Sequence, residues 1–125
     1  MAIKGIGTDI VEISRINRIL KKSPKGFAER ILHQNELKIF KQHKSPEAFL
    51  AKRFSAKEAV AKALGTGIAH GVAFQDIEIS NNEDGQPILT LHGKTLEIAQ
   101  AKGVSHCHIS LSDERNYAIA YVVLE

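Results

Sequence analysis

Residues 53–65 of the chain read Arg53-Phe54-Ser55-Ala56-Lys57-Glu58-Ala59-Val60-Ala61-Lys62-Ala63-Leu64-Gly65. This stretch predicts the second half of one long helix that begins near residue 45, where Ser45 suits the N-cap and Pro46 the first helical position. Gly65 supplies the left-handed residue with which many helices end. At about 100° per residue, the large apolar side chains form one broad face, and alanines fill much of the rest. We therefore expect a long, mostly buried helix around which the rest of the chain packs.

Glu58 and Lys62 lie one turn apart on the edge of this predicted helix. The simplest interpretation is an exposed ion pair that stabilises the helix by about 0.2–0.5 kcal/mol. The alternative is a site for a metal-bound polyphosphate: the carboxylate binds the cation, the lysine binds phosphate oxygens, and the following turn Gly65-Thr66-Gly67 lets backbone N–H groups approach closely. The pattern of residues alone leaves both interpretations open.

Two short motifs carry a resemblance to a known family. The segment Phe54-x-x-Lys57-Glu58-Ala59-x-x-Lys62 resembles the (Trp/Phe)-x-x-Lys-Glu-(Ala/Ser)-x-x-Lys signature of the 4′-phosphopantetheinyl transferases, and Gly7-Thr8-Asp9 resembles their Gly-x-Asp signature. The spacing of the motifs and the length of 125 residues are similar to those of the small single-repeat branch, the holo-[acyl-carrier-protein] synthases. The resemblance covers essentially the whole chain. Both motifs together, in this order, make it specific.

This resemblance implies an enzyme that transfers 4′-phosphopantetheine from coenzyme A to a serine of apo acyl carrier protein, in fatty acid and lipid biosynthesis. It implies Mg²⁺ as cofactor, Asp9 and Glu58 as metal ligands, and Lys62 as a second positive centre, so that all three residues are catalytic. On local grounds alone, an aspartate at a strand end is more often a turn or cap residue. The base that accepts the serine proton stays open between Glu58 and a metal-bound water.

The resemblance further implies that coenzyme A contacts Lys62, Gly65, Thr66, His108 and Arg53. Arg53 and Lys57 lie well round the predicted helix from Glu58, which makes them the weaker candidates for the site. Small members of the family form homotrimers with sites between subunits, and the same is expected here.

The strand that contains His108 departs from the family pattern. Many relatives carry Ser/Thr-His where this chain has Ser112-Asp113, and a carboxylate does not attract phosphate, so we exclude Asp113 from the predicted site. His106 and His108 lie on one face of this strand, but no third ligand with suitable spacing accompanies them, which argues against a transition metal there.

A basic face is predicted on a helix over residues 14–22, where Arg15, Arg18 and Lys22 lie on one side and Ile19 on its border. This face is either solvated surface or, as the resemblance implies, the docking site of the acidic carrier protein. A net charge of only +3 is too small to indicate nucleic acid as a partner, and the chain's five Phe, two Tyr and no Trp offer no stacking platform. A second rival function is a non-catalytic module that binds coenzyme A or a nucleotide.

Composition indicates an ordinary globular protein, with 43% hydrophobic and 25% charged residues. We expect one domain over residues 1–125. The single Cys107 excludes an intramolecular disulfide, and no signal peptide or long apolar span is evident, so we expect a cytoplasmic protein without a membrane partner.

The order of predicted elements gives the fold class. A first strand over 2–9 is followed by four helices, over 14–22, 25–32, 34–43 and 45–65. Ser23-Pro24 is the start signal of the second of these helices. A hairpin over 74–79 and 88–92, a helix over 94–102 and a second hairpin over 104–111 and 117–124 complete the chain. This order predicts an α+β fold: an N-terminal strand, helices including one long central helix, and a mainly antiparallel sheet of hairpins with one more helix.

Overall fold

The elements follow one another in the predicted order: an N-terminal strand, a set of helices, and two hairpins with one helix between them. A computed structural model describes residues 2–23 and 25–125. In chain order the elements are β1 (Gly5–Glu12), α1 (Ile13–Lys22), α2 (Gly26–Ile31), α3 (Gln34–Phe40), α4 (Pro46–Leu64), β2 (Ile77–Asn81), β3 (Pro87–Leu91), α5 (Gly93–Ala101), β4 (Cys107–Asp113) and β5 (Tyr117–Leu124). The predicted α+β class is confirmed.

Helix α4 is the long central helix that the sequence predicts. Pro46 occupies its first turn, and Gly65 ends it with a φ of 81°, the left-handed conformation that glycine adopts without strain. Ser45 stands at the N-cap, but in the described part of the chain its side chain makes no capping hydrogen bond. Most of the helix is buried, because it packs between the sheet on one side and the short helices on the other.

Strand β1 lies directly against α4, and two glycines make this possible. A β-carbon on Gly5 would overlap the carbonyl oxygen of Ala63, and one on Gly7 would overlap that of Ala59. Any larger residue would push the helix away from the strand. The strand begins and ends three residues later than predicted, because it pairs with β5 from Gly5 to Glu12.

The strands form two antiparallel sheets. The larger has the order β1-β5-β4, and the smaller is the hairpin of β2 and β3. One core cluster joins α4 to both sheets, and a second joins its N-terminal half to α1, α2 and α3. The protein core therefore lies on both sides of a single helix.

Some predicted boundaries are wrong for identifiable reasons. The first half of the predicted strand 74–79 is a 3₁₀ turn, Phe74–Asp76, because the Asp76 carboxylate accepts a hydrogen bond of 3.0 Å from the Thr95 hydroxyl and thus holds the first turn of α5. Strand β4 begins at Cys107 and not at residue 104, and α3 ends at Phe40. Of the predicted helix start at Ser23-Pro24, Pro24 lies outside the described residues; α2 begins at Gly26.

Within residues 2–23 and 25–125, no helix is both long and apolar enough to cross a bilayer.

Candidate active site

Asp9 and Lys62 meet where β1 crosses the C-terminal half of α4. The Asp9 side chain lies on the face of β1 that is turned towards the helix, and the Lys62 ammonium lies 3.0 Å from its Oδ1. The same ammonium donates a hydrogen bond of 3.0 Å to the Thr8 carbonyl. The lysine side chain is 54% exposed and the aspartate only 15%, so the ammonium faces solvent while the carboxylate lies largely beneath it. In the part of the chain that is described, no ion pair joins Lys62 to Glu58.

Ser55 is a residue of this site that the sequence analysis missed. Its buried hydroxyl donates a hydrogen bond of 2.9 Å to the backbone carbonyl of Asp9. This bond fixes β1 at the position of Asp9 against α4. The position of Ser55 inside the Phe54–Lys62 motif was the available signal, but a serine inside a helix has no distinctive pattern of its own.

Glu58 lies close to Asp9 and half-buried beside it. Burial raises the pKa of the Glu58 carboxyl, and the negative charge of Asp9 raises it further; Lys62 and Arg15 oppose this effect. The structure therefore brings together two carboxylates, one ammonium and one guanidinium, although they come from β1, α1 and α4. Both carboxylates are oxygen donors of the kind that Mg²⁺ prefers, and their mutual repulsion is what a bound cation relieves.

The turn Gly65-Thr66-Gly67 closes α4 near this cluster. The N–H groups of all three residues donate to carbonyls of the last helical turn, namely those of Ala61 and Lys62. The Thr66 hydroxyl donates a hydrogen bond of 2.7 Å to the Gly67 carbonyl. Both glycines have positive φ and open space where a side chain would be. A coenzyme contact at Gly65 and Thr66 stays a prediction, and it would use this open surface because the backbone donors are already engaged.

The first lysine of the motif, Lys57, is completely buried and lies on a different face of α4 from Lys62. Its ammonium donates to the carbonyls of Ile31 (2.8 Å) and Phe74 (3.1 Å) and to the carboxylate of Glu36 (2.5 Å). Burial lowers the pKa of Lys57, although Glu36 opposes the shift. Each of the three N–H donors of the Lys57 ammonium thus has an acceptor, and Lys57 links α4 to α2 and α3.

Glu36 is the acceptor at the centre of this buried network and was also missed. Besides Lys57, it accepts the N–H groups of His33 (2.9 Å) and Ile79 (3.0 Å). The His33-x-x-Glu36 spacing at the start of α3 is that of a capping box, and the structure contains this box. That spacing was the signal from which the helix start could have been predicted, but not the distant partners.

Arg53 lies next to Glu36 on the wall of a cavity of about 310 Å³. Its guanidinium stacks on the Phe49 ring, 4.5 Å from the centroid, and donates to Asn81 Oδ1 at 3.3 Å. Its buried Nε has no hydrogen-bond partner among the residues that the structure describes. Asp113, which the sequence analysis excluded, also lines this cavity. Arg53 is not part of the Asp9 cluster: five residues at about 100° each place it roughly 140° around α4 from Glu58.

His108 lies on the outer face of the larger sheet. It pairs with Val123 across β4 and β5, and its Nε2 lies 2.8 Å from Glu125 Oε1. Asp9 is on the opposite face of the same sheet, so the two side chains do not meet within one chain. Around His108 the outer face is apolar and exposed, with the large side chains of Ile6, Ile10, Ile119 and Tyr121.

The predicted docking residues lie on α1 as expected. Arg15, Arg18 and Lys22 are exposed, Ile19 is half-buried, and Ile16 on the opposite side is fully buried. Only Arg15 is close enough to Glu58 to influence its pKa. The basic face therefore begins at the carboxylate cluster and extends away from it along the helix.

The family model described as the 4′-phosphopantetheinyl transferase superfamily matches residues 5–122. The chain belongs to this superfamily. The match includes both motifs of the sequence analysis, and all of the residues around Asp9, Glu58 and Lys62 lie within it. The predicted membership is therefore confirmed.

Members of the superfamily resemble the chain over its full length. A holo-[acyl-carrier-protein] synthase of Aliivibrio fischeri is 56% identical over 125 residues, which are 100% of this chain and 99% of the relative. The crystal structure of the synthase from Neisseria meningitidis has a TM-score of 0.94 at 44% identity and covers 99% of both chains. That of a synthase from Bacillus anthracis in complex with CoA (3′,5′-ADP) has a TM-score of 0.82 at 42% identity and covers 98% of this chain and 96% of that one. The predicted transferase class is confirmed by these relatives.

Proposed function

We propose that this protein transfers 4′-phosphopantetheine from coenzyme A to a serine of apo acyl carrier protein, giving holo carrier protein and adenosine 3′,5′-bisphosphate, with Mg²⁺ as cofactor. The observation that carries the proposal is the meeting of Asp9, Glu58 and Lys62 at the edge of α4. The names of the relatives support the substrates, since a synthase at 56% identity is named for the carrier protein and a neighbour was crystallised with the coenzyme.

Asp9 and Glu58 are the residues that would hold Mg²⁺. Their repulsion, together with burial, already disfavours the charged form of Glu58, so a cation between them stabilises both carboxylates. Two protein carboxylates plus phosphate oxygens and water make a sufficient Mg²⁺ site. When bound, the ion supplies neutralisation of the charge that develops on the diphosphate.

Lys62 has the freedom to follow the phosphate groups. Its ammonium is about half exposed, and within residues 2–23 and 25–125 its hydrogen-bond partners are Asp9 and the Thr8 carbonyl. The ammonium would turn to a diphosphate oxygen and stabilise the charge that develops as the serine oxygen attacks the β-phosphorus in line and adenosine 3′,5′-bisphosphate leaves. The base that accepts the serine proton stays open between Glu58 and a metal-bound water.

The coenzyme would extend between two subunits. Arg53 and His108 face other surfaces than Asp9, so one chain does not present all predicted contacts to one coenzyme molecule. The apolar outer face around Ile10 and Ile119 is a surface that association of copies would cover. We therefore propose a homotrimer in which the Arg53 cavity of one chain and the Asp9 cluster of the next share a coenzyme.

The remaining expectations belong to this proposal. We propose a single domain over residues 1–125, action in the cytoplasm, and a role in fatty acid and lipid biosynthesis. The basic face of Arg15, Arg18, Ile19 and Lys22 would dock the acidic carrier protein, because it begins at the reactive cluster and is exposed.

Mass spectrometry of an apo carrier protein tests the function directly. Incubation with this protein, coenzyme A and Mg²⁺ should add the mass of one phosphopantetheine, and Glu58→Gln serves as the matched control. A coenzyme-binding protein that leaves the carrier unmodified would favour the non-catalytic module, and salt-sensitive oligonucleotide binding without coenzyme binding would favour a nucleic-acid partner.

A further inference from the structure

A second group of potential ligands lies away from the Asp9 cluster. His33 at the start of α3, Glu78 on β2 and His92 directly after β3 place one ligand atom each within 4.8 Å of one another. His92 Nε2 lies 2.8 Å from Glu78 Oε1, and His33 Nδ1 lies 3.9 Å from the same oxygen. Three separate elements thus converge on one carboxylate oxygen.

From this arrangement we propose that His33, Glu78 and His92 bind a divalent transition-metal ion, with Zn²⁺ as the best fit. Two imidazoles and one carboxylate are a common ligand set of open zinc sites. Ligand atoms about 2.0–2.1 Å from a tetrahedral ion lie roughly 3.3 Å apart, and the separations of 2.8 and 3.9 Å lie on either side of this value. Small side-chain rotations therefore suffice to close the site.

Neighbouring groups already orient the Glu78 carboxylate and the stacked rings of His33 and His92. Asn35 Nδ2 donates 3.1 Å to Glu78 Oε2, which leaves Oε1 facing the histidines. The two rings stack with centroids 4.8 Å apart. Such partners around a ligand set hold it in position and commonly change metal affinity by about 10–100-fold when removed.

Binding requires two local changes. His33 Nδ1 accepts the Asn35 N–H at 3.1 Å, so coordination through this atom replaces one hydrogen bond of the helix cap. Coordination through His92 Nε2 requires the ring tautomer that carries its proton on Nδ1. Both changes are small because neither ligand leaves its element.

The site is accessible and leaves room for a fourth ligand. The side chains of His33 and Glu78 are 17% and 13% exposed, and that of His92 is 41% exposed. Both histidines line a cavity of about 440 Å³, which accommodates water or a small anion as the remaining ligand. A bound ion would link α3 to the β2–β3 hairpin.

Titration of untagged protein with Zn²⁺, in excess Mg²⁺ to saturate oxygen sites, tests the proposal. We expect one equivalent bound with a micromolar or lower Kd, and a rise in thermal midpoint of at least about 4 °C at hundredfold excess over Kd. Co²⁺ in place of Zn²⁺ should give the visible absorption of a tetrahedral nitrogen–oxygen site.

Three variants remove single ligands with little other damage. His33→Ser keeps a good N-cap, Glu78→Gln keeps an acceptor for Asn35, and His92→Phe keeps a ring against His33. Each should weaken Zn²⁺ binding at least tenfold and, at the same Zn²⁺ concentration, reduce the thermal shift to about half or less. His106→Gln, at an exposed histidine elsewhere, should bind as the wild type does.

Several results would overturn the proposal. Wild-type protein that takes up no Zn²⁺ excludes the site. Equal affinity in the wild type and in all three ligand variants places the ion elsewhere, and loss of Zn²⁺ binding in Asp9→Asn alone assigns it to the carboxylate cluster. The metal-free thermal midpoint of His33→Ser, expected close to wild type, shows that a loss of binding is not a loss of fold.

Discussion

The ammonium of Lys62 on α4 lies 3.0 Å from the carboxylate of Asp9 on the adjacent strand β1. Lys62 thus pairs with Asp9 rather than with Glu58, which lies one turn away on its own helix. Lys62 and Asp9 are 53 positions apart in sequence. This contact exists because Gly5 and Gly7 let β1 lie directly on α4. It joins the two sequence motifs in one site.

The two carboxylates should be required for activity and dispensable for folding. Asp9→Asn and Glu58→Gln are expected to lower kcat/KM by about 10²-fold or more, the scale of losing a transition-state stabiliser. Glu58→Gln should not lower the free energy of unfolding, because burial and the Asp9 charge already disfavour the ionised carboxyl. Kinetics at low millimolar Mg²⁺, beside denaturant unfolding, checks both. Activity within a few-fold of wild type would contradict the metal assignment.

Lys62→Ala should separate chemistry from stability. Because the Lys62 side chain is 54% exposed, its pair with Asp9 contributes at most about 1 kcal/mol to the free energy of unfolding. Coenzyme binding or turnover should nevertheless fall at least tenfold. Thermal unfolding and steady-state kinetics measure the two effects. A variant with normal kinetics and reduced stability would make Lys62 a structural residue only.

Lys57→Met should have the opposite effect. The buried ammonium neutralises Glu36, and removal of one partner of a buried pair typically costs about 3–5 kcal/mol. Denaturant unfolding should show a loss of this size. Glu36→Gln provides the reciprocal measurement. A loss below about 1 kcal/mol together with inactive protein would assign Lys57 a direct catalytic role instead.

Reversal of charge on α1 should weaken the encounter with the carrier protein. Arg15→Glu, alone or with Lys22→Glu, is expected to raise the KM for carrier and to flatten the ionic-strength dependence of kcat/KM, with coenzyme A affinity unchanged. Since Arg15 also influences Glu58, Arg18→Glu with Lys22→Glu is the cleaner pair. Lys102→Glu, exposed beyond α5, is the control. An unchanged salt slope would make this face solvated surface.

A mixing experiment tests whether the coenzyme site lies between subunits. Asp9→Asn and Arg53→Gln should each be inactive, whereas exchange of subunits should restore activity at roughly a quarter of the sites, those with both intact faces. Because Arg53 is buried, Asn81→Ala on the same cavity wall is the second choice of partner. Sedimentation verifies assembly and exchange. Folded, exchanging variants without recovery would place the whole site in one chain.

Local patterns in the sequence were sufficient to predict the elements. The Ser45–Pro46 start and the Gly65 end defined α4, and alternation of apolar residues with turn residues defined both hairpins, because these features depend on neighbours along the chain. The error at Phe74–Asp76 arose where a distant residue, Thr95, binds Asp76 and ends the extended conformation. The two sequence motifs also predicted Asp9, Glu58 and Lys62 as residues of the candidate site.

What only the tertiary structure decided is which charged residues meet. Lys57 and Lys62 both belong to one helical motif, yet one is fully buried against Glu36 and the other is half exposed beside Asp9. Sequence spacing gives their angle around α4 but not the elements packed on each side. Those elements, together with the burial that they impose, determine whether a lysine stabilises the fold or remains free to bind a phosphate.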